Sequence, residues 1–169
     1  MTPTRRVLFI LLLTSCSCTH RGQVLDCPST LHLDAPPEIG SNLPCVKESR
    51  CLLMTSPASL DASYTVEAQG INFDVAVRGS EATVVFVSVS DPSFRTPEGY
   101  RVGTPLLDIT NGAGHELVQE TGWACFVPLP SGWNAALPLT DSSLRNGLWV
   151  ECAEQAESIP QIAWFFKRR

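Results

Sequence analysis

The chain has 169 residues, of which 12 are lysine or arginine and 17 are aspartate or glutamate, so its formal net charge at pH 7 is −5. This acidic balance argues against binding to nucleic acid, because lysine and arginine supply most of the affinity for a phosphate backbone. The length corresponds to one folded domain with a substantial hydrophobic core, and a second domain is not expected.

The N-terminal residues have the layout of a secretion signal. Arg5 and Arg6 form a charged segment, and residues 7–13 form an apolar stretch that is too short to span a bilayer. The stretch ends in Leu13-Thr14-Ser15-Cys16. This run resembles a bacterial lipobox. The resemblance implies a lipoprotein of an uncharacterised small secreted family, in which residues 1–15 are removed and Cys16 carries acyl chains on its sulfur and its new amine.

The same resemblance implies where the mature protein resides. The diacylglyceryl group of lipoproteins supplies at least two acyl chains, and each buried methylene contributes about 0.8 kcal/mol, so the anchor would be stable. In Gram-negative lipoproteins the residue after the lipidated cysteine influences sorting, and here it is Ser17 rather than an aspartate. We therefore expect a lipid-anchored protein of the outer membrane that faces the periplasm. The alternative is an ordinary cleaved signal with incidental cysteines.

Removal of the signal defines the expected organisation of the mature chain. It leaves 154 residues, with 10 basic and 17 acidic side chains and a formal net charge of −7. Residues 16–26 are predicted to form a lipidated tether, because they are mostly small and polar. Residues 27–169 are predicted to form a single β-rich domain.

Six cysteines remain beside the lipidated one, namely Cys18, Cys27, Cys45, Cys51, Cys125 and Cys152. In an oxidising compartment an even set indicates disulfides, although the sequence alone does not fix their connectivity. We favour Cys45 with Cys51, which would close a short polar loop, and Cys125 with Cys152. Cys18 and Cys27 are the remainder. Zinc is the alternative, but the chain has no Cys-x-x-Cys pair and its three histidines are scattered, so neither a metal nor another cofactor is predicted.

The clearest pattern of secondary structure lies between residues 64 and 90. Apolar and polar residues alternate over residues 71–78 before Gly79-Ser80, which predicts a strand and a two-residue hairpin turn. In that register Val75 faces Val84 and Phe73 faces Phe86. The return strand is apolar on both sides, so we expect it to be central in the sheet. Residues 31–60, by contrast, are rich in proline without periodicity and are interpreted as mostly irregular.

Three further elements are predicted in the second half of the chain. Thr104-Pro105 is typical of a helix start, with Thr104 as the N-cap, and Asn111-Gly112 of a stop, so one short helix is expected. Residues 123–129 and 133–139 flank a Pro-Ser-Gly turn and predict a second hairpin. Residues 161–167 predict a buried closing strand. The fold class is α+β, with a mostly antiparallel sheet, one or two short helices and disulfide staples.

A segment just before the predicted helix is similar to a stretch found in other proteins. Residues 96–103 read Thr-Pro-Glu-Gly-Tyr-Arg-Val-Gly. They resemble the Thr-x-Glu-Gly-x-x-Val-Gly stretch of many uncharacterised secreted bacterial proteins. That resemblance implies a passage from a strand into a short helix and nothing about activity.

A search for catalytic groups assigns none. Ser131 lies in the Pro-Ser-Gly turn, outside any nucleophile motif. His115 follows Gly112-Ala113-Gly114, where a ligand could approach closely, but a loop histidine of this kind is more often solvated. Trp123 and Trp133 flank the second hairpin and, with His115, form a candidate binding surface if they are exposed. The alternative, which we favour, is that both tryptophans fill the core.

The function expected from these observations is that of a non-catalytic envelope lipoprotein, which binds or supports another component of the cell envelope. Its partners would be the membrane, through the N-terminal lipid, and an envelope protein, whereas its oligomeric state is not predicted. One alternative is a periplasmic immunity or inhibitor protein that acts against a toxin or an enzyme. Another is a wall or lipid hydrolase that would need His115 in a pocket. The basic residues 167–169 are interpreted as a solvated end, with contact to anionic lipid as the alternative.

Overall fold

The computed structural model describes residues 30–44, 51–113, 116–138, 144–145, 148–149, 151–158 and 160–169. Its strands are β1 (Thr30–Leu33), β2 (Leu52–Ser56), β3 (Ser59–Ala68), β4 (Ile71–Arg78), β5 (Thr83–Val89), β6 (Val118–Glu120), β7 (Ala124–Pro128), β8 (Asn134–Ala136), β9 (Leu144–Arg145), β10 (Leu148–Trp149) and β11 (Trp164–Arg168). Its helices are α1 (Leu106–Ala113) and α2 (Cys152–Ser158).

One mixed sheet of nine strands dominates the described part of the chain. Its order is β1-β3-β4-β5-β11-β8-β7-β6, with β2 paired to β3, while β9 and β10 form a separate ribbon. Within this sheet β1 and β3 pair in parallel and the other neighbours are antiparallel. The predicted sheet-rich, mostly antiparallel architecture with one or two short helices is therefore confirmed, and the described residues contain two. The helices are minor additions to the sheet, so the fold is mostly β rather than clearly α+β.

The strand predicted to be central does lie in the interior of the sheet. β5 is hydrogen-bonded to β4 on one side and to β11 on the other. Its residues from Val84 to Val89 are all buried, because both faces of the sheet are covered at this point. The second hairpin, β7 with β8, and the closing strand β11 are also present as predicted.

The predicted register of the first hairpin is wrong. Four residues, 79–82, separate β4 from β5 instead of the expected two. Val75 consequently faces Val87, not Val84, and a bulge between Ala76 and Val77 shifts the register once more.

Contacts with a distant segment explain this register. The N–H of Val84 donates to the carbonyl of Ser41 at 2.8 Å, and the N–H of Gly40 donates to the carbonyl of Val84 at 2.9 Å. The N–H of Leu43 donates to the carbonyl of Ala82, which is buried with a positive φ of 52°. Because residues 40–43 pair with this segment, Ala82 becomes part of the turn between β4 and β5. The Gly79-Ser80 sequence does not indicate this longer turn.

The interpretation of residues 31–60 as mostly irregular is also wrong in part. They contain β1, β2 and the start of β3. The hairpin of β2 and β3 leaves Leu52, Met54 and Leu60 largely exposed. Because these apolar side chains of β2 and of the start of β3 are exposed, this part of the hairpin lacks the apolar-in, polar-out alternation by which a strand is recognised in a sequence.

The helix predicted after Thr104-Pro105 is present as α1, but it is not capped as expected. The Thr104 hydroxyl accepts a hydrogen bond from the N–H of Arg101 at 3.0 Å, which precedes the helix. The first helical N–H, that of Leu106, donates to the carbonyl of Pro160 at 2.7 Å. The carbonyl of Pro160 thus accepts from a backbone donor at the helix start that the side chain of an N-cap residue usually satisfies.

Apolar side chains pack against both faces of the sheet. On one face Ile109 of α1, Phe94 and Trp133 pack with Val87, Val89 and Phe165. On the other lies an aromatic cluster made of Phe86, Trp123, Phe126, Trp164 and Phe166. The predicted disulfide between Cys125 and Cys152 is formed and joins β7 to the first residue of α2, with the two Cα atoms 5.5 Å apart.

Candidate functional site

Several of the residues predicted from the sequence lie outside the described ranges. They are Cys16, Cys18, Cys27, Cys45 and His115, together with the signal and the tether. Lipidation of Cys16, the Cys45–Cys51 pairing and any role of His115 therefore stay predictions. Cys51 is described and lies exposed directly before β2.

Trp123 is a core residue. Its side chain is only 2% exposed, and its ring contacts Phe86, Phe166 and Trp164 edge-on. Its indole N–H donates to the carbonyl of Met54 at 3.0 Å, across a sequence separation of 69 residues. Trp123 thus connects the start of β7 to strand β2 and is not available as a surface contact.

Trp133 is also mostly buried, at 6% exposure, but it lines an open groove of about 580 Å³. The apolar part of the groove wall comes from Phe94, Trp133 and the prolines Pro36, Pro37 and Pro97. The rings of Phe94 and Trp133 meet edge-on with centroids 4.8 Å apart. Of the two candidate tryptophans, Trp133 is the one that the structure places at a concave surface.

Charged side chains border the same groove. Glu38, Arg95 and Lys167 line it, so its charges are mixed with one positive charge in excess. The ammonium of Lys167 lies 5.0 Å from the centroid of the Trp133 ring, a distance at which a cation is attracted to the face of an indole. An apolar concavity with a few polar groups at its border is the usual form of a binding site for a small molecule or a peptide segment.

A carboxylate fixes the hairpin turn next to Trp133. Glu98 accepts a hydrogen bond from the N–H of Ser131 at 2.7 Å and another from its hydroxyl at 3.0 Å. Burial raises the pKa of Glu98, but the hydrogen bonds from Ser131, together with smaller contributions from the backbone of Glu98 and the side chain of Thr96, more than offset it, so the pKa lies below its ordinary value. Glu98 lies within residues 96–103, and its two hydrogen bonds hold the turn at Ser131 in place.

The two hydrogen bonds to Glu98 also account for the role of Ser131. Its hydroxyl and its N–H are both directed to one carboxylate, which is the arrangement of a braced turn and lacks the imidazole base of a serine nucleophile. His32, the histidine within the described ranges, is an exposed residue of β1, and its Nδ1 lies 3.1 Å from a carboxylate oxygen of Glu67. In the ranges that the structure describes, no three His, Cys, Asp or Glu side chains converge as metal ligands do. In the same ranges no helix is long and apolar enough to cross a bilayer.

The sequence did not predict that these residues would line one groove. The sequence identifies Trp133 beside its hairpin turn, whereas Pro36 and Pro37 are only part of the proline-rich residues 31–60. For Lys167 the sequence predicts a solvated chain end. These residues come together because residues 35–39 pack beside the loop of residues 94–97. No local sequence pattern indicates that contact.

Comparison with known proteins adds little to these observations. No family model and no curated protein matches the chain. Among solved structures the chain is similar to the uncharacterized protein yfeY from Escherichia coli, with 15% sequence identity over 63% of this chain and 77% of that chain and a TM-score of 0.36. A similarity this distant identifies neither the fold nor a function.

Proposed function

We propose that the protein is a lipid-anchored protein of the cell envelope, which binds or supports another envelope component without catalysing a reaction. The observation that carries the proposal is the run Leu13-Thr14-Ser15-Cys16 after a short apolar stretch preceded by two arginines. This arrangement is typical of lipoprotein signals and places the site of acylation at Cys16. Ser17 in the following position favours the outer membrane.

Two features of the described domain support this proposal. The Cys125–Cys152 disulfide suits an oxidising compartment such as the periplasm, since cytosolic proteins keep their thiols reduced. The groove beside Trp133 is a concave surface of mixed apolar and charged character, which is a usual form of a binding site. We place the contact with the envelope component at this groove.

The test is membrane fractionation of cells that produce the full chain. Wild-type protein is expected in the outer-membrane fraction and Ser17→Asp in the inner-membrane fraction. Cys16→Ala is expected to accumulate as an unprocessed precursor. Cys18→Ala is the matched control, because it changes a neighbouring cysteine, and it is expected to fractionate as wild type.

The results that would refute the proposal are equally specific. Release of the wild-type protein in soluble form from the periplasm would exclude the anchor. Normal processing of Cys16→Ala, or loss of membrane association in Cys18→Ala, would place the modification elsewhere or show an ordinary cleaved signal.

A further inference from the structure

A second, smaller pocket lies near the end of the β2–β3 hairpin. Its volume is about 280 Å³, and three arginines line it, Arg78, Arg168 and Arg169. Arg78 ends β4 and Arg168 ends β11, and these two strands flank β5, so the sheet itself brings the guanidinium groups together. Thr55, Ser56, Ser59 and Val85 complete the lining.

Two of the guanidinium groups are held in place by carboxylates. Nε and Nη2 of Arg78 donate to Asp61 at 2.9 and 2.7 Å. Both terminal nitrogens of Arg168 donate to Glu120, one of them at 2.8 Å. A paired guanidinium keeps N–H donors that the pair does not use, and its fixed plane reduces the entropy lost when a ligand binds.

The lining of the pocket contains no acidic side chain, since neither Asp61 nor Glu120 belongs to it. Arg78 pairs with Asp61 and Arg168 with Glu120, whereas the guanidinium group of the exposed Arg169 pairs with neither of these carboxylates. The Ser56 hydroxyl accepts the N–H of Ala58 at 3.3 Å, which leaves its own proton available to an acceptor.

We propose that this pocket binds a phosphate group, either as free phosphate or as the phosphate of a lipid headgroup. Arginine forms bidentate hydrogen bonds to phosphate oxygens, and several arginines with nearby hydroxyls can donate to a tetrahedral anion from more than one side. The pocket does not depend on acylation of Cys16. Failure of the proposed lipid anchor would therefore leave this inference intact, and the reverse also holds.

The experiment is calorimetric titration of the full chain in non-ionic detergent micelles, with inorganic phosphate and, separately, with dihexanoyl phosphatidic acid. Arg169→Gln is the informative variant, because Arg169 is exposed and its removal breaks neither carboxylate pair. Arg101→Gln is the matched control, since it removes an exposed arginine outside the pocket and changes the net charge equally. Arg169→Gln is expected to weaken binding about tenfold, as loss of one charge-assisted hydrogen-bonding partner does, and Arg101→Gln to leave it unchanged.

The two ligands distinguish the source of the phosphate. Arg169-dependent binding of inorganic phosphate would assign the pocket to free phosphate, and Arg169-dependent binding of the short-chain lipid alone would assign it to a headgroup. Absence of binding to both ligands would overturn the proposal. Equal losses in the two arginine variants, or no loss in Arg169→Gln, would overturn it as well.

Discussion

The guanidinium carbon of Arg168 lies 4.8 Å from the centroid of the Trp123 ring. The same group is ion-paired with Glu120, and both side chains are only about a quarter exposed. The sequence had assigned residues 167–169 to a solvated basic end, and this assignment is wrong for Arg168. The last strand instead places a cation over an aromatic cluster, with a carboxylate of β6 at its side.

Removal of this cation is expected to destabilise the fold. Arg168→Met keeps an apolar stem over Trp123 but loses the cation–π contact and leaves Glu120 without its partner, so the free energy of unfolding should fall by about 2 kcal/mol. Arg168→Lys keeps the charge without the bidentate geometry and should recover part of the loss. Urea denaturation measures both. Arg169→Met serves as the control and should change the free energy of unfolding by less than about 0.5 kcal/mol. An equal loss of stability in Arg168→Met and Arg169→Met would show that the contacts of Arg168 contribute nothing specific.

The Cys125–Cys152 bond is expected to be a major part of the stability. It closes a sequence separation of 27 residues, for which the chain-entropy model gives about 3.6 kcal/mol. A double Cys125→Ala/Cys152→Ala variant should lose stability of that order in chemical denaturation without reductant. Adding reductant to the wild type should reproduce most of the loss. A loss below about 1 kcal/mol would mean that packing of α2 against the sheet suffices without the bond.

The Arg78–Asp61 pair predicts a dependence of stability on pH. The hydrogen bonds from Arg78 lower the pKa of Asp61, burial opposes them, and the Thr55 hydroxyl adds a further lowering contact at 2.7 Å. A carboxylate whose pKa is lowered by folding stabilises the folded state above its unfolded pKa of about 3.8, and that contribution is lost as the pH falls through the lowered value.

The corresponding measurement compares Asp61→Asn with wild type across pH. The variant should be less stable at pH 7. The difference should shrink as the pH falls below about 4, where Asp61 of the unfolded wild-type chain takes up a proton, and should reach its minimum below the lowered pKa of the folded state. Glu81→Gln, an exposed carboxylate of the hairpin turn, is the control. A difference between Asp61→Asn and wild type that stays constant down to pH 2 would show that the ion pair does not couple folding to protonation.

The sequence predicted those structural elements whose residue pattern lies within one short segment. The alternation of residues 71–78, the apolar run of β5 and the Thr104-Pro105 helix start each describe a short segment, and each predicted its element correctly. The hairpin register failed because residues 40–43 hydrogen-bond to Ala82 and Val84, a contact made by a segment some forty residues away. The strand β2 was missed because two of its three apolar side chains, Leu52 and Met54, are exposed.

The candidate sites depend even more on distant contacts. Arg78 and Arg168 are 90 positions apart and meet because β4 and β11 are the two neighbours of β5. The groove beside Trp133 likewise requires residues 35–39 and the 94–97 loop to pack near the second hairpin. The run Leu13-Thr14-Ser15-Cys16, in contrast, is continuous, and for that reason its resemblance to a lipobox can be read from the sequence alone and supports the proposed location.

The most direct test of the central proposal is the intact mass of the protein extracted from membranes, measured before and after reduction and alkylation of thiols. We expect a chain that begins at Cys16 and carries added acyl mass, with the thiols of Cys125 and Cys152 alkylated only after reduction. A chain without acyl mass, or one that begins at another residue, would contradict the lipid anchor. Alkylation of Cys125 and Cys152 without prior reduction would contradict the oxidising compartment.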